Sequence, residues 1–313
     1  MSNDAVPQPR NDEVLQYGGR DFCAFGFRHK ISCVPVDEDE KDRFDVYNDV
    51  LERIFLSTVF PNLEAGPREV LDCGFGTGAW ISSLLDEHED YEVTGVDIFD
   101  HPSNSDGVQE FYKIKWNMNA RFRSAPERDM LKMDTFDLIN SRFLSDGIDS
   151  ERWPDLISEY RALLKPGGWL QMVEVNWCFQ SDNGARLPHL EAWWNNYSMA
   201  LRRMNRNPTV AGHLFRLMAE AGFVHIETKD EDNRIPVGDW MAGFRSPGKD
   251  NVRAVSEMLA SFAIMPFTAV LGMSTTRCAQ MVRDAQAELL KPNVKIYNRV
   301  HVAWGQKPFR KKR

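Results

Sequence analysis

Residues 69–85 read EVLDCGFGTGAWISSLL: an apolar run, an aspartate, three glycines at alternate positions (Gly74, Gly76 and Gly78), then apolar residues at helical spacing. This is the pattern of a strand, a tight turn and a helix, and glycines so spaced let the backbone turn sharply and approach a ligand closely. The alternation continues downstream. "YEVTGVDI" reads as a second strand, "ARFRSA" as a weak third, "TFDLINSRF" as a fourth and "WLQMVEVNW" as a fifth, with a helix over "ERWPDLISEYRALLKPGG". The expected fold is α/β, doubly wound and Rossmann-like, with a mostly parallel sheet covered on both faces and ligands beyond the carboxyl ends of its strands.

Two ligands suit the glycine loop. From Gly74 it matches G-x-G-x-x-A, a dinucleotide signature; from Asp72 it reads D-x-G-x-G-x-G, which suits S-adenosylmethionine. In both, backbone N–H groups and a helix N-terminus face the ligand, and an acid about 20 residues on accepts from ribose hydroxyls. Asp97 fills that place under either reading. Asp72 separates them: a carboxylate at the strand end repels a pyrophosphate and attracts an ammonium and a sulfonium. Trp80 is also bulky where dinucleotide folds pack helix against strand closely. The expected cofactor is S-adenosyl-L-methionine.

The rest of the 313 residues set limits. With 42% hydrophobic and 27% charged residues the composition is that of a globular protein, and a net charge of −8 argues against direct binding to a nucleic-acid backbone. The basic "FRKKR" end reads as a solvated tail. Five scattered cysteines form no disulfide framework and no zinc pattern, and no metal site is expected. The polar N-terminus lacks a secretory signal and no run is long enough to span a bilayer, so the expected place is the cytoplasm, with the nucleus as the alternative. The acidic run 37–42 reads as a helix start with a solvated face. Residues 1–13 read as a disordered tail and 14–313 as one domain, with a core over 67–180 and 208–308, a helical lid over 185–207 and a helical addition over 240–291.

The loop, Asp97 and "LLKPGGWL" resemble class I S-adenosylmethionine-dependent methyltransferases. "GGRDF…PVDEDEKDRFD", "DLINSRFLSDGI" and "WPDLISEYRALLKPGGWLQMVEV" resemble the fungal LaeA-like (UMTA) group, over about residues 17–245. The resemblance implies a seven-stranded sheet whose last strand is antiparallel, which suits the terminal "VKIYNRVHVAWG". It also implies methylation of secondary metabolites, or regulation of such pathways through a protein partner of the velvet type. By position, Asp72, Gly74, Gly76 and Gly78 surround the methionine end, Asp97 holds the ribose and Ile98 lines the adenine. After the third strand, where the family usually carries acids, this chain has "RSAPER", which leaves Glu127 for the adenine; Phe75 stands where a smaller residue is common.

Methyl transfer is an in-line displacement at an activated carbon, so alignment and water exclusion are the protein's main task and no catalytic signature is required. The candidates at the sheet's mouth are Asn140 and Arg142 after the fourth strand and Glu174 at the end of the fifth. For Arg142 the bland alternative is an ion pair with the 37–42 helix; for Glu174 it is a solvent-exposed strand end. Tyr17 and Arg20 sit where an N-terminal segment would cover the cofactor. Trp193, Trp194, Tyr197 and Met204 form either an aromatic lid or core, and His189 lies beside them. The expected activity is methylation of a small secondary metabolite; the alternatives are a LaeA-like regulator and a cofactor-binding homologue that no longer methylates.

Overall fold

A computed structural model describes residues 6–101, 110–229, 234–240 and 248–310. A hairpin of β1 (Val14–Tyr17) and β2 (Arg20–Cys23) leads into a short helix α1 (Ala24–Arg28) and the long α2 (Glu38–Phe55). Asp37 caps α2 by accepting from the Glu40 N–H at 3.1 Å, and Arg20 clamps the same carboxylate at 2.6 and 2.5 Å. The acids of this run thus start the helix and anchor the hairpin to it. The core follows as β3 (Glu69–Cys73), α3 (Ala79–Glu87), β4 (Glu92–Asp97), β5 (Tyr112–Lys115), β6 (Phe136–Arg142), α4 (Trp153–Leu163) and β7 (Leu164–Ser181). Then come α5 (Pro188–Arg203), α6 (Leu214–Glu220), β8 (Val224–Thr228), β9 (Arg234–Val237), α7 (Gly248–Ala263), α8 (Thr275–Leu289) and β10 (Ile296–Gln306).

The sheet runs β5-β4-β3-β6-β7-β10-β8, with β9 also paired to β10. Pairs from β5 to β7 are parallel, and β10 is antiparallel to β7, β8 and β9. The doubly wound sheet with a reversed last strand is therefore as expected, and β9 is an addition. The third strand is a correction. It is Tyr112–Lys115, whereas "ARFRSA" holds only a 3₁₀ turn, Phe122–Ser124. As an edge strand, β5 buries Ile114 alone and leaves Tyr112 and Lys113 to solvent, so no apolar run marks it.

β7 is long, and beyond Val173, its last residue paired with β6, it projects past the other parallel strands while β10 stays paired with it to Ser181. This arm carries the added helices. Val173, Val175, Trp177 and Phe179 form one core with residues of α2, α5, α7 and α8. Trp193 (0% exposed), Tyr197 (1%) and Met204 (6%) belong to that core. Trp193 stacks on Tyr197 with ring centroids 5.0 Å apart and donates its Nε1–H to the Leu259 carbonyl at 2.9 Å. These aromatics are packing, each burial contributing about 1.5–3 kcal/mol, and not a mobile lid. Between α7 and α8 the chain forms a π-helical turn, Ile264–Val270, around Pro266, which lacks the N–H an α-helix would use there.

Residues 6–13 have no regular structure but are tied down. Asn117 donates its N–H to the Gln8 side chain (2.9 Å) and its amide to the Pro7 carbonyl (3.0 Å), while Asp12 accepts from the Asp100 N–H (3.0 Å). The tail reading fails for them, because their polar side chains have partners distant in sequence; residues 1–5 lie outside the described residues. Of the basic C-terminus, Arg310 pairs with Asp134, and 311–313 lie outside the described residues. All five cysteines are free, four of them buried. No helix among the described residues is long and apolar enough to cross a membrane.

Candidate functional site

All three glycines of the loop adopt positive φ (+79°, +53° and +84°), which other residues reach only with strain, yet each has its own reason. A side chain at Gly74 would collide with Leu144, and Gly78 caps α3 behind Phe111. At Gly76 nothing of the protein lies within 4 Å of where a Cβ would stand. That position faces a cleft of about 200 Å³ above the carboxyl ends of β3, β4 and β6.

Asp72, next to last in β3, lies in the floor of this cleft, 2% exposed. Its Oδ1 accepts the Asn140 amide at 2.7 Å; Asn140 Oδ1 in turn accepts from Gln171 (2.9 Å), which also donates to the Thr58 carbonyl (3.1 Å). Neighbouring parallel strands place Asp72 beside Asn140 and Asn140 beside Gln171, so sheet register builds this chain. Burial lifts the Asp72 carboxyl to about 7 against the Asn140 bond and the charge of Arg142. Asp97, at the end of β4, accepts the N–H groups of Gly76 (2.9 Å), Ile98 (2.6 Å) and Phe99 (3.2 Å), and burial lifts it to about 6.

Asp72, Gly74, Gly76, Asp97, Ile98, Asn140 and Arg142 thus meet in one cleft. Arg142 makes no ion pair with the 37–42 run among the described residues; its Nε is buried without a partner, and its guanidinium lies 5.0 Å from the Phe143 ring centroid. Phe75 lines the cleft edge-on to Phe111 (centroids 5.3 Å apart). Its bulk fits because residue 95 is glycine: a Cβ there would stand 2.7 Å from the Phe75 ring.

Other expected residues lie elsewhere. Glu174 is fully buried but outside the cleft, accepting the Leu144 (2.8 Å) and Ser145 (3.2 Å) N–H groups, and burial lifts it to about 8. It holds the loop after β6 in place and is neither a strand end in solvent nor a group facing the cleft. His189 is exposed at the start of α5, its N–H bonded to Glu288 at 2.8 Å. Glu127 is exposed in a turn, displaced from the site because the third strand ends earlier. Tyr17 bonds Thr268 at 2.9 Å and packs on Phe27 outside the cleft walls, and Gly78 lies behind the loop.

The sequence reading missed several walls. Asn117 and Met118, after the true third strand, line the cleft, as do Cys23, Ile31 and Val34–Val36 of the N-terminal segment and the loop to Ile148. The offset from a correctly placed β5 would have found Asn117 and Met118; the N-terminal segment carries no periodic signal.

A sequence model described as a methyltransferase domain matches residues 40–228. The chain is 25% identical to "Secondary metabolism regulator LAE1" of Cochliobolus heterostrophus, over 98% of itself and 99% of that protein. It is 25% identical to "Protein-methionine methyltransferase laeA" of Emericella nidulans (91% and 75% covered). It is 28% identical to "Methyltransferase pytC" of Aspergillus terreus (88% and 83%). The matched domain spans more than half of the chain and contains the glycine loop, Asp97 and Asn140, so this protein belongs to the methyltransferase domain family, as a LaeA-like S-adenosylmethionine-dependent methyltransferase.

Proposed function

We propose that the chain methylates a small organic acceptor of secondary metabolism. The observation that carries this reading is the buried Asp72–Asn140 pair facing, across the open space at Gly76, the backbone-held Asp97. The cofactor fits these residues: a buried carboxylate is suited to an ammonium group, and the missing side chain at Gly76 leaves the ligand room against the loop backbone. S-adenosylmethionine supplies an activated methyl carbon when bound. Asp72 holds its ammonium, Asn140 orients that carboxylate, the backbone of Gly74 and Gly76 follows the methionine end, and Asp97 holds the ribose. Ile98, Phe99 and Met118 provide apolar walls for the adenine, and Asn117 lines the same end while its side chain pins the N-terminal segment there. Arg142 offers a free donor to an anionic group at the methionine end. The N-terminal segment, Cys23 and Ile31–Val36, walls the cleft against water.

A small acceptor suits a cleft bounded by that segment and α2, and the relative named for pytC supports it. The relatives named as a secondary-metabolism regulator and a protein-methionine methyltransferase favour a second reading, methylation of a protein; a velvet-type partner there rests on the sequence resemblance alone. Under both, a charge of −8 disfavours direct nucleic-acid binding, and the protein works in the cytoplasm or nucleus. Incubating the purified chain with methyl-labelled S-adenosylmethionine and a host extract separates them. Label in the small-molecule fraction supports the proposal; label confined to protein replaces it with the second reading.

A further inference from the structure

A second chamber, of about 30 Å³, meets the cofactor cleft at Phe44, Phe143 and Asp146, which line both. Four more rings close it, Tyr47 from α2, Trp177 from the projecting arm, Tyr197 from α5 and Phe262 from α7. Its walls therefore come largely from the helices added to the sheet, on the side where Arg142 and Phe143 face the cleft.

Two charged groups enter this box, beside Ser145 and the tyrosine hydroxyls of Tyr47 and Tyr197, which pair with Asn298 and Cys33. Arg43 is 1% exposed, its guanidinium 4.1 Å from the Phe44 ring centroid and 5.2 Å from that of Phe262. Its Nε donates to Glu40 at 2.7 Å, but its Nη2 finds no acceptor among the described residues. Buried donors are rarely left unpaired, and a guanidinium keeps its charge, so the position calls for an oxygen that the protein does not supply. Asp146 is the second group. Arg206 pins its backbone by donating to the Asp146 carbonyl at 3.0 Å and to the Lys30 carbonyl at 2.8 Å, which locks this loop to the N-terminal segment. The Asp146 carboxyl thus stands at the junction of the two cavities; the Cys33 thiol, 3.4 Å away, and its own backbone N–H are bonded to it, and no cationic side chain forms an ion pair with it among the described residues.

We propose that this chamber is the acceptor site and that it takes the oxygen-bearing edge of a flat aromatic ring carrying a hydroxyl beside a carboxylate or carbonyl. The inference rests on the small-acceptor reading above and names its substrate class. The ring lies at the neck between Phe44 and Phe143, where aromatic faces favour offset or edge contacts. The acidic oxygen accepts from Arg43 Nη2, and the hydroxyl donates to Asp146, beside the cofactor cleft. A chamber this small admits the polar edge and leaves the ring at the neck.

The test is calorimetric titration of the full chain, saturated with S-adenosylhomocysteine, against salicylate, benzyl alcohol and hexanoate. Salicylate is expected to bind at least tenfold more tightly than either comparator. Arg43→Gln is expected to abolish that preference, and Ser145→Leu, which fills the chamber from a side chain outside the cofactor cleft, to weaken salicylate tenfold or more; both keep their affinity for S-adenosylhomocysteine. Equal affinity for the three probes, or salicylate binding untouched by Ser145→Leu, overturns the proposal even if Arg43→Gln does not fold. Failure of the wild-type chain to bind S-adenosylhomocysteine at all would instead strike the methyltransferase reading.

Discussion

Asn140 donates its side-chain amide to the Asp72 carboxylate at 2.7 Å, and both residues are almost wholly buried at the carboxyl ends of adjacent parallel strands. The bond opposes the cost of burying a carboxylate, which nonetheless raises Asp72 to about 7. The same geometry fixes a pH response. Asp72 (about 7), Asp97 (about 6) and Glu174 (about 8) all hold their protons more tightly folded than unfolded. Since unfolded carboxyls titrate near pH ~4, these groups make the ligand-free protein lose stability as pH rises from there through the folded values. A cationic ligand takes the ionised form of Asp72, so its affinity moves the other way, rising with pH and levelling above about 7. In thermal-shift measurements from about pH 5 to about pH 8, ligand-free Tm should fall while the increment from S-adenosylmethionine grows. A flat increment would show that Asp72 does not meet the cation.

Gly76 and Gly74 should respond differently to alanine. Gly76→Ala meets no protein atom, so its stability cost is only the left-handed backbone strain, about 1 kcal/mol, while its methyl stands in the cofactor's path. Cofactor affinity should fall tenfold or more. Gly74→Ala adds a collision with Leu144 to the same strain and should be the less stable variant by chemical denaturation. Equal cofactor affinity in Gly76→Ala and wild type would remove the ligand from this loop.

Phe75 and Gly95 are a coupled pair. Gly95→Ala places a methyl 2.7 Å from Phe75 and 2.8 Å from Phe111, an overpacking of about 1–3 kcal/mol. Phe75→Leu should relieve part of it, giving a coupling energy of at least about 0.5 kcal/mol in a double-mutant cycle. Additive effects would mean that the two do not share this space.

Glu174→Ala should destabilise the protein by about 1–3 kcal/mol by leaving the Leu144 and Ser145 N–H groups unpaired. Because Glu174 lies outside the cleft, affinity for S-adenosylmethionine should stay within about twofold of wild type, allowing for ordinary context effects. Loss of binding in a folded, stable variant would return this carboxylate to the site.

What the sequence made legible follows from burial. β3, β4, β6 and β7 are covered on both faces and read as apolar runs, and the offset from the glycines then places Asp72, Asp97 and Asn140. β5 escapes because an edge strand of Tyr-Lys-Ile-Lys shows no such run, and with it went the cleft-lining residues Asn117 and Met118. Glu174 was misplaced because successive strand residues face opposite ways, and sequence alone does not say which face meets the cleft. Trp193 and Tyr197 mark one helix face; only the projecting β7–β10 arm shows that this face packs on α7. The wall from Ile31 to Val36 is irregular chain, held by tertiary contacts that leave no periodic trace.

The most direct measurement is calorimetric titration of the wild-type chain and of Asp72→Asn with S-adenosylmethionine and with NAD. The wild type should bind one S-adenosylmethionine and no NAD. Asp72→Asn should lose about 10- to 100-fold in affinity, the worth of a charge-assisted hydrogen bond of about 1.5–3 kcal/mol. Binding of NAD without S-adenosylmethionine, or an Asp72→Asn variant that binds as tightly as wild type, would contradict the account.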